Sequence, residues 1–179
     1  TIIKVRDLFY NTPARLKFLK SDYTENASIT EVVTAIGLSA EGVSIKLELD
    51  GREALFLPKA AGLKERIRII FGNETADSLV NIDKYSDTVK VFGFAAKPQA
   101  AKNKRTAQFF FVNKRHITPK RLYYAAQDGY GTLLMKGMYP PVFIFIDIKW
   151  KRFIIRRSTK IKIIKIPGFL HGYLEFFPL

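Results

Sequence analysis

The sequence of 179 residues contains no cysteine, one tryptophan and two histidines, His116 and His171. The absence of cysteine excludes disulfide bonds, thiolate metal sites and cysteine nucleophiles, and it is typical of a cytoplasmic protein. Two histidines are too few for a histidine-rich metal site. No apolar run approaches the ~18 residues of a transmembrane helix. The sequence therefore predicts a cytoplasmic protein, or a nuclear one in a eukaryote, with no membrane partner.

Acidic residues are scarce, with 16 Asp and Glu against 30 Lys and Arg, a net charge of +14. The excess is uneven: residues 149–179 hold eight basic residues and one acid, whereas residues 1–148 hold 22 basic and 15 acidic residues. Each part therefore carries a net charge of +7, and 31 residues carry half of the total. A strongly basic chain indicates an anionic partner, most simply a nucleic acid.

The sequence lacks the motifs of a complete enzyme. It has neither the G-x-S-x-G motif of a serine nucleophile nor the G-x-x-x-x-G-K-[ST] loop that cradles nucleotide phosphates. No pair of carboxylates lies at a suggestive spacing in an apolar context. We therefore expect that this chain does not form a self-sufficient active site.

Hydrophobic periodicity predicts a mixture of strands and helices. Strands are predicted at 1–6, 43–49, 52–57, 88–96, 106–112 and 142–148, and helices at 14–20, 24–40, 62–71 and 118–135. A further helical turn is predicted at 74–79. Asp50-Gly51 joins two strands in the manner of a tight hairpin. The pattern predicts an α+β fold, with one mixed sheet and helices packed on one face.

Two basic clusters are candidates for phosphate contact. The first is a turn after the apolar strand 106–112, where Lys114, Arg115 and His116 are soon followed by Lys120 and Arg121. The second is the loop 97–105, which contains Lys102, Lys104 and Arg105 and no large apolar residue. Lysine and arginine side chains can neutralise phosphates and release counterions. The three phenylalanines at 109–111 are predicted to pack in the core rather than to stack on bases.

Two segments together resemble a known family. The run V-R-D-L-F-Y-N-T-P-A-R-L-K-F-L-K at 5–20 is similar to a signature of the MutL family of DNA mismatch repair proteins. The run F-V-N-K-R-H-I at 111–117 is similar to a second family motif, usually F-V-N-G/K-R. Their separation of about a hundred residues also matches that family. The resemblance covers residues 1 to about 148.

The resemblance implies a division of the chain. Residues 1–57 are expected to be the end of a GHKL-class ATPase domain, and residues 58–148 a transducer domain with the ribosomal protein S5 domain 2-like fold. Residues 149–179 are expected to be a basic tail that departs from the family. The implied parent protein binds ATP and Mg²⁺, forms a homodimer and contacts DNA, a MutS-type mismatch sensor and a downstream nuclease or helicase.

The resemblance also assigns residues. Arg115 matches a position implicated in DNA contact, and Lys114 replaces a common glycine. Thr1 matches a threonine near the nucleotide, and Lys160 is the nearest candidate for a lysine that reaches the γ-phosphate. The acidic base and the glycine-rich motifs of the ATPase do not occur in the sequence, so no ATP binding or hydrolysis is expected of this chain alone.

Three questions stay open at the level of sequence. The H-P-x-K segment expected after residue 148 is missing, which indicates either divergence or a reading-frame error near residue 149. An RNA- or ribosome-binding module with an S5-like fold and no ATPase is the alternative function. Another GHKL member, such as a type II topoisomerase subunit, fits the N-T-P-A-R-x-K-F run less well.

Overall fold

The computed structural model of the protein describes residue 3, residues 5–7 and residues 9–148. The basic tail at 149–179, with Lys160, and the residue Thr1 lie outside the described residues. Within the strand predicted at 1–6, Ile3, Val5 and Arg6 are exposed and form no strand. No described strand pairs with them, and an unpaired strand leaves its backbone hydrogen bonds unmade.

Two helices precede the first sheet. Helix α1 is Pro13–Leu16, with proline in its first turn, and it buries no side chain. It ends earlier than the predicted residue 20 because a short helix without tertiary packing is marginal in water. Helix α2 is Asp22–Ser39 and buries Ala35 and Leu38.

The buried face of α2 differs from the predicted one. The i, i+3, i+4, i+7 spacing of Ile29, Val32, Val33 and Ile36 predicts that they face inward, but Val33 is only partly buried and the other three are exposed. Gly37 is buried instead, and it lies so close to the Leu57 side chain that a Cβ atom would collide with it. Small residues thus let α2 approach its neighbours closely, and this approach decides which face is buried.

Strands β1, Ile45–Leu49, and β2, Arg52–Leu57, form the predicted antiparallel hairpin. The turn residues Asp50 and Gly51 have φ angles of 52° and 74°. Positive φ at both central positions is the geometry of a type I′ turn, which an Asp-Gly pair adopts readily. The prediction of this hairpin is confirmed.

The second sheet has five strands in the order β3-β4-β7-β5-β6. Strands β5 and β7 are parallel, and the other neighbouring pairs are antiparallel. The strands are β3 Leu79–Tyr85, β4 Val89–Ala96, β5 Gln108–Val112, β6 Arg115–Ile117 and β7 Val142–Ile148. Strand β3 was not predicted, since a half-exposed edge strand of mixed polarity carries a weak pattern.

Helices α3 and α4 depart from their predicted limits for reasons that involve glycine. Helix α3 is Leu63–Asp77 and is broken at Gly72, which has a φ of 86°, so the predicted stop is a kink. Helix α4 is Lys120–Asp128 and ends at Gly129, well before the predicted residue 135. A short 3₁₀ turn at Gly131–Leu133 follows it, and Gly131 has a φ of 55°.

The core lies on both faces of the five-stranded sheet. Helices α2 and α3 cover one face, where Leu38 and Ile67 pack with Phe111 and Phe143. Helix α4 covers the other face through Leu122 and Ala126. The α+β fold is confirmed, and α2 and α3 share one face of the sheet. A helix covers the second face as well because phenylalanines at 109–111 make both faces of β5 apolar.

The core on the face that α2 and α3 cover contains residues from both sides of the predicted domain boundary at 57/58, for example Leu38 and Ile67. The three phenylalanines of β5 are buried, as predicted for core residues. The position of the boundary itself stays a prediction.

Candidate nucleic-acid interface

A two-residue turn presents the first basic cluster. Asn113 and Lys114 connect β5 to β6 with φ angles of 47° and 66°. Lys114 and Arg115 are exposed, and Arg115 is the first residue of β6. The predicted turn at 113–116 is therefore shorter, because Arg115 and His116 already pair with Val112 and Phe111.

The remaining residues of this cluster lie at the other end of β6. Strand β6 runs antiparallel to β5, so Ile117 lies beside Phe110 and the chain returns toward the start of β5. Helix α4 then begins at Lys120. At ~3.3 Å per extended residue, the five-residue segment from Arg115 to Lys120 can reach about 16 Å at most. The basic residues therefore follow the sheet edge instead of converging at one point.

The basic loop at 97–105 is fixed against helix α4 and the segment before β7. The backbones of Lys102 and Tyr139 exchange two hydrogen bonds, of 2.9 and 2.7 Å. The Arg105 guanidinium lies 4.5 Å from the ring centre of Tyr139, and 5.5 and 5.8 Å from those of Tyr123 and Tyr124. Cation–π contacts of this kind hold an arginine in place while its N–H groups stay accessible.

These contacts join the two basic clusters. Tyr123 and Tyr124 follow Lys120 by three and four residues on α4, so all three lie on one face of the helix. Because Arg105 contacts both tyrosines, its loop lies beside the start of α4. We call the resulting surface the basic track; it comprises the β5–β6 turn, the start of α4 and the adjoining loop, and its residues are Lys102, Lys104, Arg105, Lys114, Arg115, Lys120 and Arg121.

No acidic side chain in the described part of the chain forms an ion pair with the basic track. All seven side chains are exposed, and none has a described carboxylate within 4.0 Å. The ion pairs found there lie elsewhere, for example Lys90 with Asp83 at 3.9 Å, near the opposite edge of the sheet. The track is therefore a local concentration of unpaired positive charge.

His116 does not belong to the basic track. Its ring packs against Phe109 and Phe111 with centroid distances of 5.5 and 5.4 Å, on the face that α2 covers. Burial lowers the pKa of His116 below its ordinary value, and the nearby Glu31 opposes this only in part. The imidazole is thus predominantly neutral at pH 7 and adds little to the positive potential.

Arg66 on α3 is a buried cation that the sequence did not reveal. Its Nη2 donates hydrogen bonds to the backbone carbonyls of Glu41 and Val43, at 2.8 and 2.6 Å. Burial lowers the pKa of Arg66, although arginine stays charged in water-free surroundings too. The side chain fixes the loop after α2 onto α3, and a single arginine among many gives no sequence signal for this role.

Two expected sites cannot be placed on the fold. Thr1 and Lys160, assigned near the nucleotide, lie outside the described residues.

Among the residues that the structure describes, no three His, Cys, Asp or Glu side chains gather in a way that could hold a metal ion. No helix within the same residues is long and apolar enough to cross a membrane.

Solved structures with a similar fold define the class of protein. The chain is similar to the ATPase domain of Aquifex aeolicus MutL complexed with ADP, with a TM-score of 0.59 and 27% identity over 81% of this chain and 51% of that one. It is also similar in fold to the N-terminal domain of a DNA repair protein, with a TM-score of 0.64 and 18% identity. The fold class is therefore the end of a GHKL-type ATPase domain followed by an S5 domain 2-like mixed sheet.

Sequence comparison defines the family. Residues 67–153 match the family described as DNA mismatch repair protein, C-terminal domain. The chain is 37% identical over 148 residues to the DNA mismatch repair protein MutL of Clostridium botulinum (strain ATCC 19397 / Type A), and 34% identical over 149 residues to that of Symbiobacterium thermophilum. The alignments cover 83% of this chain but only 22% and 24% of those proteins. The chain belongs to the MutL family of DNA mismatch repair proteins and spans about a fifth of the length of these relatives.

Proposed function

We propose that this chain is a DNA-contacting part of a MutL-type mismatch repair protein and that the basic track binds the phosphates of duplex DNA. The observation that carries the proposal is the set of seven exposed Lys and Arg side chains with no described carboxylate within 4.0 Å, on the β5–β6 turn, the start of α4 and the loop that Arg105 joins to α4. The contact is independent of base sequence, because phosphates carry no sequence information.

The arrangement of the track supports binding to an extended polyanion. Lys114 and Arg115 lie at the start of β6, whereas Lys120 follows its other end at the start of α4. A single phosphate could not satisfy both ends. Arg105, whose guanidinium lies within 6 Å of three tyrosine ring centres, keeps its N–H groups available for a phosphate at low entropic cost.

The DNA contact is part of an ATP-gated cycle in the full-length parent protein. The complex of Aquifex aeolicus MutL with ADP supports nucleotide binding in this family, and Mg²⁺ would accompany ATP. Residues 1–57 belong to the ATPase domain and residues 58–148 to the transducer. The homodimeric parent links a MutS-type mismatch sensor to strand incision and excision by a nuclease or helicase. This chain alone does not hydrolyse ATP, since the catalytic motifs of the family are not in its sequence.

The proposal is tested by charge reversal at one end of the track. We expect Lys114→Glu with Arg115→Glu to weaken binding to a duplex oligonucleotide about tenfold or more at low salt. The measurement is the dissociation constant by fluorescence anisotropy. Lys84→Glu with Lys90→Glu is the matched control: it changes the charge equally, but at the opposite edge of the sheet. Its one described ion pair, at 3.9 Å and exposed, is worth little.

Two outcomes would contradict the proposal. One is unchanged affinity in the Lys114 and Arg115 variant, and the other is an equal loss in the control, which would indicate attraction by net charge alone. A structured RNA that binds tighter than the duplex would favour the alternative, an RNA- or ribosome-binding module without an ATPase.

A further inference from the structure

Strand β5 ends at Val112, and the next residue, Asn113, continues its hydrogen bonds to β7. Val112 pairs with Ile146 in the parallel ladder between β5 and β7, and the Asn113 N–H continues it with a 2.9 Å hydrogen bond to the Ile146 carbonyl. In a parallel ladder, the backbone carbonyl of the same residue would next accept a hydrogen bond from the N–H two residues further along the partner strand. For Asn113 that N–H belongs to Ile148.

The side chain of Asn113 takes the place of its own backbone carbonyl. The chain turns at Asn113 with a φ of 47°, and the Ile148 N–H donates to the side-chain Oδ1 at 2.8 Å. Asparagine suits this position for two reasons: it tolerates the left-handed region, and it carries an amide oxygen two bonds beyond Cβ. The strand can thus end in a tight turn without losing a ladder hydrogen bond.

From this geometry we infer that Asn113 is a positioning residue for DNA binding, and the inference rests on the proposed function. The next two residues are Lys114 and Arg115 of the basic track. Fixing Asn113 to both Ile146 and Ile148 fixes the point at which this turn leaves the sheet. Asn113 acts through the position of the two cations and need not itself contact DNA.

The variant Asn113→Gly separates the backbone role from the hydrogen bond. Glycine adopts the left-handed conformation at least as easily as asparagine, so the turn can still form, but Oδ1 is gone. Asn113→Asp is the matched control for the hydrogen bond because it keeps an acceptor oxygen at the same place. We expect the Ile148 amide to lose its protection from hydrogen exchange in Asn113→Gly and to keep it in Asn113→Asp.

The effect on DNA is measured in a double-mutant cycle. We expect Asn113→Gly to weaken duplex binding about fivefold in the otherwise unchanged protein, and by less than about twofold when Lys114→Ala and Arg115→Ala are also present. Such non-additivity is the signature of a residue that acts through its neighbours. A merely structural loss would lower affinity equally in both backgrounds.

The outcomes that overturn the inference are distinct from those that overturn the proposed function. Unchanged protection of Ile148 in Asn113→Gly, or an equal loss of affinity in both backgrounds, overturns the positioning role. If Lys114→Ala with Arg115→Ala binds duplex as tightly as the unchanged protein, the DNA interface itself is wrong and the positioning role falls with it.

Discussion

Lys114 combines a charge that we propose contacts DNA with an unfavourable backbone conformation. Its φ of 66° lies in the left-handed region, which costs a residue with a Cβ atom about 1 kcal/mol. Because φ is positive at both Asn113 and Lys114, this is a type I′ turn, which favours glycine at its second central position; the family motif that the sequence resembles also commonly has glycine there. We therefore expect Lys114→Gly to stabilise the fold and, at the same time, to weaken DNA binding.

The magnitudes follow from the local geometry. Relief of the left-handed strain, reduced by the larger unfolded-state entropy of glycine, leaves a gain of about 0.5 kcal/mol. For a domain of this size, that gain corresponds to a rise in Tm of about 1–2 °C. Loss of one phosphate contact lowers the slope of log affinity against log salt by about 0.9.

Thermal unfolding by circular dichroism and duplex titration at several salt concentrations measure the two effects. Lys114→Ala is the matched control, since it removes the charge and keeps the strained φ. Its duplex affinity should fall as in Lys114→Gly, while its Tm should not rise. A lower Tm for Lys114→Gly than for Lys114→Ala would refute the reasoning about strain, and unchanged affinity in both variants would refute the role of the charge.

Two further predictions concern buried polar groups. Arg66→Met should lower the free energy of unfolding by about 2 kcal/mol, measured by urea denaturation, because the carbonyls after α2 lose their donor; a matched change at the exposed Lys64 should have little effect. His116 has a lowered pKa in the fold, so it binds a proton less tightly there than in the unfolded chain. Stability should therefore fall as pH drops below about 6.5, and His116→Phe should reduce this fall; an identical pH profile in that variant would contradict the assignment.

Local signals predicted the parts of the fold that depend on few residues. The Asp50-Gly51 hairpin follows from turn chemistry alone. The apolar run of β7 predicts a buried strand regardless of which strands are its neighbours in the sheet. The buried face of α2 was predicted wrongly, because Gly37 packs against Leu57 from a distant strand. Strand β3 was missed because its structure depends on pairing with β4 rather than on its own pattern.

The candidate site, like the fold, could be predicted from the sequence only in part. The composition of the two basic clusters is visible in the sequence, but their proximity depends on the antiparallel pairing of β5 with β6 and on the contact of Arg105 with α4. The lowered pKa of His116 and the burial of Arg66 also arise from tertiary packing. Neither leaves a mark in composition or spacing.

The salt dependence of duplex binding tests the central claim most directly. Each phosphate that the basic track neutralises should contribute about 0.9 to the slope of log affinity against log salt between about 50 and 200 mM. The slope for Lys114→Glu with Arg115→Glu should therefore be smaller in magnitude by about two than that of the unchanged protein, whereas Lys84→Glu with Lys90→Glu should leave it nearly unchanged. Equal slopes in all three proteins would contradict DNA binding by this edge of the sheet.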